Sequence, residues 1–315
     1  MRGGGRAPLI LDTDGGVDDA QALMMLLAAG CVPEAITTVF GNVGLDAATR
    51  NILTVLAVTG AVVPVHSGQG TPLVGATIDA TEIHGEDGLG GAPRPDDVGE
   101  AAGDNAVGFL VDRLRRGRTE GEPVDLLMIG PLTNLAMALR LAPDIAEGVG
   151  RLTIMGGTVT GRGNVTPAAE FNIFADPEAA AIVLRAPLRM CIVPWETCTR
   201  HALTGPEVDS LFAGRRDTPV TRFARALADH ARRTVQSYGH PDHFRFVDPL
   251  AAAVALWPDI VTASEEARMD VVLSDGPARG MTLVDPSGRL GTPTVTLVLE
   301  ADHARLTELF AASLG

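Results

Sequence analysis

The chain has no run of about 18 consecutive apolar residues, the minimum that a membrane-spanning helix would need. A secretory signal needs a basic start followed by an apolar core, and the first ten residues, MRGGGRAPLI, are too short and too polar for one. We therefore expect no membrane partner. Residues 1–6 are expected to form a flexible end.

Cysteine is scarce, with only Cys31, Cys191 and Cys198 in the sequence. An odd number without regular spacing argues against a disulfide framework and against a zinc site. The cysteine content suits a reducing compartment, and we expect the protein to be cytoplasmic.

A stripe of basic residues is also missing, and the formal net charge is −14. Proteins that bind nucleic acids usually carry such a stripe, so a nucleic-acid partner is not expected. The negative charge can serve solubility alone. It can also belong to a cation site, because acidic residues cluster locally.

Short apolar runs of strand type alternate with longer runs rich in Ala and Leu, which predicts an α/β fold. We expect a mainly parallel central sheet flanked by helices, with a Rossmann-like core. No repeat or linker divides the chain, so one domain is expected over residues 1–315. The predicted strands are Pro8–Leu11, Ala35–Phe40, Val62–His66, Val124–Ile129, Leu152–Met155, Met190–Val193, Asp270–Leu273, Met281–Val284 and Thr294–Leu299. The predicted helices are Asp18–Ala29, Asp46–Thr59, Asn105–Arg116, Leu132–Leu141 and Pro177–Arg185, with more helix in 200–245 and at the end.

The segment 67–103 is rich in Gly, Pro, Asp and Thr and has no strong periodicity. It is too long for an ordinary connection, which indicates a functional loop. In open α/β sheets, ligands bind beyond the carboxyl ends of the strands. Site residues are therefore expected just after the strands.

Four aspartates, Asp12, Asp14, Asp18 and Asp19, follow the first predicted strand. Asp18 can cap the next helix and Asp19 can add charge to its first turn, but neither role explains Asp12 and Asp14. Crowded carboxylates repel one another unless a cation neutralises them. Oxygen ligands without Cys or His favour Ca²⁺ or Mg²⁺. A metal-dependent phosphatase with an aspartyl nucleophile is a second interpretation, which the doubled Asp18-Asp19 weakens.

The segment Asp12 to Ala20 closely resembles the signature of the inosine-uridine-preferring nucleoside hydrolases. The resemblance implies hydrolysis of the N-glycosidic bond of ribonucleosides to free base and ribose, with Ca²⁺ as cofactor. It also implies a homodimer or homotetramer. Further landmarks match in order along most of the chain: Gly41-Asn42, His84-Gly85, Gly130 to Asn134, Met155 to Gly157, Asn164, Glu170 to Asn172 with Asp176-Pro177, and Asp248-Pro249.

The resemblance implies that Asp14, Asp19 and Asp248 bind calcium through their carboxylates. The carbonyl of Ile129 would complete the protein ligands. Asp14 would also activate a calcium-bound water, and the transition state would be oxocarbenium-like. For Asp248, the alternative is a helix cap ahead of Pro249.

The implied substrate contacts are carboxylate and amide groups, which suit sugar hydroxyls because each hydroxyl donates and accepts. Without the resemblance, Asn42 would be interpreted as a turn residue and 170–172 as an exposed loop. Asp12 would orient the other carboxylates. The substrate-binding residues are Asp18, Asn42 and Asn172 at the 2′ and 3′ hydroxyls, Asn164 and Glu170 at the 5′ hydroxyl, and Met155 beside them.

The sequence departs from the family at two positions. Gly15 stands where a proline is usual, which we expect to change the stiffness of the turn but no chemical group. Val247 stands where many members have a histidine that acts as an acid toward the leaving base, and valine cannot donate a proton. A catalytically weak protein of the same fold that binds nucleosides or sugars is therefore an alternative function.

Other side chains are candidates for handling the base. Trp195 can stack on a base, although a packed core position is the alternative. His84 matches a family landmark and is expected to be catalytic. Tyr238 is expected to close over the base, as are Gln236, His240 and His243 with less support. The base preference stays open, with a slight preference for purines.

Overall fold

The computed structural model describes residues 6–315, along which strands and helices alternate. The expected flexible end at 1–6 lies, apart from Arg6, outside the described residues. The strands are β1 (Leu9–Thr13), β2 (Ala35–Thr38), β3 (Val65–Ser67), β4 (Val124–Met128), β5 (Val149–Met155), β6 (Met190–Val193), β7 (Ala202–Thr204), β8 (His243–Arg245), β9 (Val261–Val271), β10 (Thr282–Asp285) and β11 (Thr294–Ala301). The helices are α1 (Val17–Ala28), α2 (Leu45–Thr59), α3 (Thr81–His84), α4 (Ala106–Glu120), α5 (Thr133–Leu141), α6 (Phe171–Ala175), α7 (Pro177–Leu184), α8 (Trp195–Arg200), α9 (Gly205–Phe212), α10 (Pro219–Ser237), α11 (Asp248–Leu256) and α12 (His303–Ala312).

Nine strands form one sheet in the order β10-β9-β11-β6-β5-β4-β1-β2-β3. The seven strands from β11 to β3 in this order all pair with their neighbours in parallel. Strand β9 runs antiparallel to both of its neighbours, and β7 and β8 form a separate antiparallel pair. The predicted α/β domain with a mainly parallel sheet is confirmed.

The core lies on both faces of the sheet, as β1 shows. Ile10 packs with helices α4, α5 and α7, whereas Leu9 and Leu11 pack with α1, α2 and α11. Because successive residues of a strand point to opposite faces, both faces of β1 are buried. This burial explains why the first three residues of β1 are all apolar without alternation.

The observed strands differ from the predicted ones, mainly where the strand residues are polar and exposed. Strand β9 begins at Val261, nine residues before the predicted start, and residues 262–266 are exposed. The segment 200–245 contains the β7–β8 pair as well as helices. Strand β3 begins at Val65 instead of Val62, whose side chain is exposed. Apolar periodicity cannot report strands that carry exposed polar residues.

The segment 67–103 has little regular structure beyond the last residue of β3 and the four-residue helix α3. Its chain is nonetheless anchored, because the backbone of Gln69 donates to the side chain of Asn134 and that of Leu73 to Asp176. Across residues 6–315, none of the helices has the length and apolarity needed to cross a bilayer.

Candidate active site

The first acidic motif lies at the centre of the sheet. Strand β1, which ends at Thr13, is flanked by β2 on one side and β4 on the other. The carboxyl ends of these parallel strands therefore meet, and they bring Asp14, Asn42 and Ile129 into one region. This is the place where ligands are expected in an open α/β sheet.

The turn after β1 depends on two glycines. Gly15 has a φ of +69°, and a Cβ there would lie 2.6 Å from the Cα of Ala48. A Cβ at Gly16 would lie 2.4 Å from the side-chain nitrogen of Asn42. Proline is held near a φ of about −65° and cannot adopt this conformation, so the departure at Gly15 changes the backbone conformation of the turn as well as its stiffness.

Helix α1 begins one residue earlier than predicted, and Asp19 completes its first turn. Gly16 is the N-cap, and its N–H donates to the Asp19 carboxylate at 2.8 Å. The N–H of Asp14 donates to the same carboxylate at 3.2 Å. The predicted cap role of Asp18 is therefore wrong. The side chain of Asp18 is therefore available for a role other than capping α1.

Asn42 joins the carboxylates of Asp14 and Asp19. Its backbone N–H donates to Asp14 at 2.8 Å, and its side-chain amide donates to Asp14 at 3.0 Å and to Asp19 at 2.9 Å. Gly41 allows this close approach, since a Cβ there would lie 2.0 Å from an Asp14 oxygen. Asn42 is only 7% exposed, so it is more than a turn residue.

The side chains of Asp18, Asp19 and Asp248 form a compact acidic group. One oxygen from each lies within 4.8 Å of the other two. Two oxygens that both bind Ca²⁺ at 2.3–2.6 Å can be up to about 5 Å apart, so the spacing suits this ion. Asp248 occupies the first turn of α11, and Val247 is the N-cap. The cap interpretation of Asp248 is therefore wrong.

No arginine balances this charge within residues 6–315. Among these residues, the one basic side chain within 4 Å of the group is His84, whose Nδ1 lies 3.7 Å from an Asp18 oxygen. An unpaired atom also points to a cation at this group. Asp18 Oδ1 is buried and has no hydrogen-bond partner among the described residues. A buried carboxylate oxygen needs a donor or a cation. The donor set and the orphan oxygen both fit a hard divalent cation.

Burial raises the pKa of each carboxyl group at this site, namely those of Asp14, Asp18, Asp19 and Asp248. The pKa of Asp18 rises to about 6. The pKa values of Asp14 and Asp248 rise well above the usual range, because burial and neighbouring carboxylates both oppose ionisation. Burial and the charge of Asp18 raise that of Asp19. A cation would relieve this repulsion.

Asp12 lies below this group and has other partners. Thr37 and Asn134 donate to one of its oxygens at 2.6 and 2.8 Å. Burial raises its pKa to about 7. Sequence reasoning missed Thr37, as well as Thr13, whose hydroxyl donates to Asp19. The available signal was the presence of threonines at the ends of two buried strands, β1 and β2.

His84 lies against the same motif. Its Nδ1 accepts a hydrogen bond from the Val17 N–H at 3.1 Å. Burial lowers the pKa of His84 to about 4, so the ring is neutral at pH 7. Because Nδ1 is an acceptor, the proton of the neutral ring is on Nε2. His230 of α10, which sequence reasoning did not single out, bonds to the carbonyl of Ile83 at 2.9 Å and holds α3 in place.

The side chain of Asn172 contacts two other predicted site residues. Its side-chain amide donates to the carbonyl of Ile129 at 3.1 Å and to that of Met155 at 3.2 Å. Asn172 and Met155 are both buried. The ends of β4 and β5 are thus tied to helix α6.

Glu170 caps helix α6 from a buried position. Its carboxylate accepts from the backbone N–H groups of Asn172 and Gly157 at 2.9 and 2.8 Å. Burial raises its pKa to about 7. The nearby Asn164 is exposed and accepts from the Phe171 N–H at 2.9 Å. The exposed-loop interpretation of 170–172 is therefore wrong for Glu170 and Asn172.

The proposed base side is more open. Trp195 is half-buried at the start of α8 and packs against the core, with the Arg245 guanidinium 5.8 Å from its ring centroid. Tyr238 is 55% exposed at the end of α10, and Gln236 and His240 are also exposed. Within residues 6–315, no hydrogen bond or ion pair joins Tyr238, Gln236 or His240 to the acidic motif.

Comparison with known proteins covers nearly the whole chain. Residues 9–308 match the family model for inosine-uridine preferring nucleoside hydrolase. The non-specific ribonucleoside hydrolase RihC of Escherichia coli (strain SE11) is 36% identical over 299 residues, which is 94% of each chain. RihC of Shigella sonnei (strain Ss046) has the same identity and coverage.

Solved structures agree with this result. A plant nucleoside hydrolase superposes with a TM-score of 0.89 at 30% identity and covers 98% of both chains. A purine-preferring ribonucleoside hydrolase from Gardnerella vaginalis superposes with a TM-score of 0.88 at 28% identity and the same coverage. The chain therefore belongs to the inosine-uridine preferring nucleoside hydrolase family and is a ribonucleoside N-ribohydrolase, a glycosidase that acts on N-glycosyl bonds.

Proposed function

We propose that this ribonucleoside hydrolase depends on calcium and that Asp14 is its general base. The observation that carries the proposal is the group formed by half-buried Asp18 and buried Asp19 and Asp248, one oxygen of each lying within 4.8 Å of the other two. An all-oxygen site favours a hard ion. The high coordination number of Ca²⁺ leaves positions open for substrate and water.

The proposed protein ligands are Asp14, Asp19, Asp248 and the carbonyl of Ile129. Asp14 stands beside Asp19 through their shared donor, Asn42. The carbonyl of Ile129 already accepts from the Asn172 amide, and its second lone pair is available. When bound, Ca²⁺ would supply positive charge that keeps the carboxylates ionised and polarises water and sugar hydroxyls.

Asp14 takes a proton from the attacking water. Its two oxygens accept hydrogen bonds from Asn42, which fix the direction of the carboxylate. Burial and the charge of Asp19 raise the pKa of Asp14, and a base with a raised pKa accepts protons more readily. General-base catalysis typically contributes about 10²–10⁴-fold.

The sugar is held by the residues around this carboxylate. Asp18, Asn42 and Asn172 bind the 2′ and 3′ hydroxyls, and Met155 forms the floor with its buried side chain. Glu170 and Asn164 bind the 5′ hydroxyl, which their common position at the start of α6 supports.

Positive charge develops on the ribose as the N-glycosidic bond breaks. The carboxylates of the motif are already oriented by Asn42 and by backbone N–H groups. Preoriented negative groups stabilise a developing cation without having to reorganise. His84 lies beside these carboxylates as a neutral ring.

We also propose a cytoplasmic location and a homodimer or homotetramer. All three cysteines are free thiols in the structure, which supports a reducing compartment. The assembly is proposed from the family resemblance. Light scattering at several concentrations would measure it.

The experiment that tests the metal proposal combines calorimetry with turnover of inosine and uridine. Chelation should abolish turnover, and calcium should restore it. Calorimetry should show one calcium ion per chain for the wild type and for Asp217→Asn, an exposed control. Asp248→Asn should lose that binding. Full activity in a sample shown to be metal-free would overturn the proposal.

A further inference from the structure

The segment 156–170 connects β5 to α6 and carries Asn164 and Glu170. It contains no helix or strand, and none of the residues 160–168 is fully buried. Near α6, the N–H of Asn164 donates to the carbonyl of Ala169 at 3.1 Å, and its side chain accepts from the Phe171 N–H at 2.9 Å. Exposed loops with few buried contacts open easily. The position of Asn164 therefore depends on what holds the loop at its other end.

A carboxylate from α8 holds that other end. Glu196 accepts hydrogen bonds from the N–H of Thr160 at 2.7 Å, from the Thr160 hydroxyl at 2.7 Å and from the N–H of Val159 at 3.0 Å. A carboxylate only accepts, and its hydrogen bonds are roughly twice as strong as those between neutral groups. Glu196 is half-buried, and it forms no ion pair within residues 6–315. The partners of its carboxylate there are thus all in the loop.

The residue before this contact has an anchor of its own. The N–H of Thr158 donates to the hydroxyl of Thr282 in β10 at 2.8 Å, and that hydroxyl donates to the Thr158 carbonyl at 2.6 Å. The N–H of Gly157 is held by Glu170 at 2.8 Å. Loss of Glu196 would therefore release the chain only beyond Thr158. The site residue in the released part is Asn164.

We infer that Glu196 is a positioning residue, which holds Asn164 in place at the 5′ hydroxyl of the ribose. The inference rests on the proposed function and deepens its recognition of the sugar. Thr160 and Asn164 are four residues apart, so an anchor at Thr160 limits where Asn164 can lie. A displaced Asn164 would leave the 5′ hydroxyl with Glu170 as its one remaining partner. Contacts to remote parts of a substrate orient its reacting atoms, so their loss lowers kcat as well as raising KM.

The test compares inosine with 5′-deoxyinosine, which lacks the hydroxyl in question. In the wild type, kcat/KM should be about 10–10²-fold lower on 5′-deoxyinosine, because a polar contact is lost at buried Glu170. Glu196→Ala should lower kcat/KM on inosine by about tenfold and on 5′-deoxyinosine by less than about threefold. The discrimination between the two substrates should thus shrink, which a general loss of folding would not cause, since it lowers both rates alike.

The matched control is Glu207→Ala. Glu207 likewise accepts from the N–H and the hydroxyl of a threonine, Thr204, at 2.7 and 2.8 Å, but it does so at the start of α9. This variant should keep the discrimination of the wild type. Glu196→Gln retains an acceptor oxygen for Thr160, so it should also keep most of the discrimination.

A double variant tests whether Glu196 acts through Asn164. Asn164→Ala should reduce the discrimination about as much as Glu196→Ala does. The variant that carries both changes should fall no further, because each change removes the same contact to the substrate. A further loss in the double variant would show that Glu196 acts elsewhere and would contradict the inference.

Two other results would overturn the inference while leaving the proposed function intact. One is full discrimination in Glu196→Ala, and the other is an equal loss on inosine and on 5′-deoxyinosine. Equal wild-type rates on the two substrates would instead refute the proposed contacts to the 5′ hydroxyl, and the inference with them.

Discussion

The proposed sugar side and the proposed base side of the site are built differently. On the sugar side, Asp14, Asp19 and Asn42 are buried and joined by short hydrogen bonds. On the base side, Trp195 is half-buried and Tyr238 is largely exposed. The proposed catalytic groups come from the ends of central strands, whereas the proposed base-side groups come from later loops and helices. Specificity can therefore change without disturbing the chemistry.

The largest expected effect is on the sugar side. Asp14→Ala should reduce kcat by at least about 10³-fold, because it removes a proposed ligand and the base together. Steady-state turnover of inosine measures the effect, and exposed Asp46→Ala, at the start of α2, is the control. A loss smaller than about tenfold would exclude Asp14 as the base.

The substrate itself offers a second test of the sugar side. 2′-Deoxyinosine should react about 10²-fold more slowly than inosine, since it leaves buried charged groups without their hydroxyl partner. Competition assays with both substrates in one sample measure the ratio directly. Equal rates would show that the 2′ hydroxyl is not bound by the carboxylate and amide groups.

The base side should respond more weakly and more selectively. Trp195→Ala should lower inosine turnover by about tenfold, the size of one lost stacking contact, and should spare 4-nitrophenyl riboside, whose leaving group needs no help. Trp257→Ala, at the other tryptophan, controls for loss of an indole. Unchanged rates on both substrates would mean that Trp195 is core packing alone.

The last expected effect is on stability instead of turnover, and it concerns Glu170. Its pKa of about 7 in the fold exceeds the ordinary value of 4.5, because the buried carboxylate resists ionisation. The folded state therefore binds the proton more tightly, and the wild type should lose stability as pH rises from about 4.5 to 7. Glu170→Gln cannot titrate and should be spared this loss.

The measurement is urea unfolding of chelated samples at pH 5 and pH 7.5. Between these values, the free energy of unfolding of Glu170→Gln should gain about 2–3 kcal/mol relative to the wild type. Because the other carboxylates titrate in both proteins, the difference isolates Glu170. A constant difference across this range would mean that Glu170 is ionised throughout.

Much of the fold was predictable because most strands are buried. Strands β1, β2, β4, β5 and β6 follow apolar runs, and the predicted ranges overlap the observed ones. The start of β9 and the β7–β8 pair were missed. These strands are short or partly exposed. They are therefore defined by pairing with a neighbouring strand, and an apolar sequence pattern does not reveal them.

For the site, local spacing and family resemblance named the groups and assigned Asp14, Asp19 and Asp248 to one ion, but not the hydrogen bonds that hold them. The sequence by itself determined the acidic motif, its glycine turn and the alternation that builds the sheet, because these depend on residues close together in the chain. Only the tertiary structure decided that Asp248 joins Asp18 and Asp19, and that Arg245 stands over Trp195. Such contacts join residues far apart in sequence, and packing around a shared core is what brings them together.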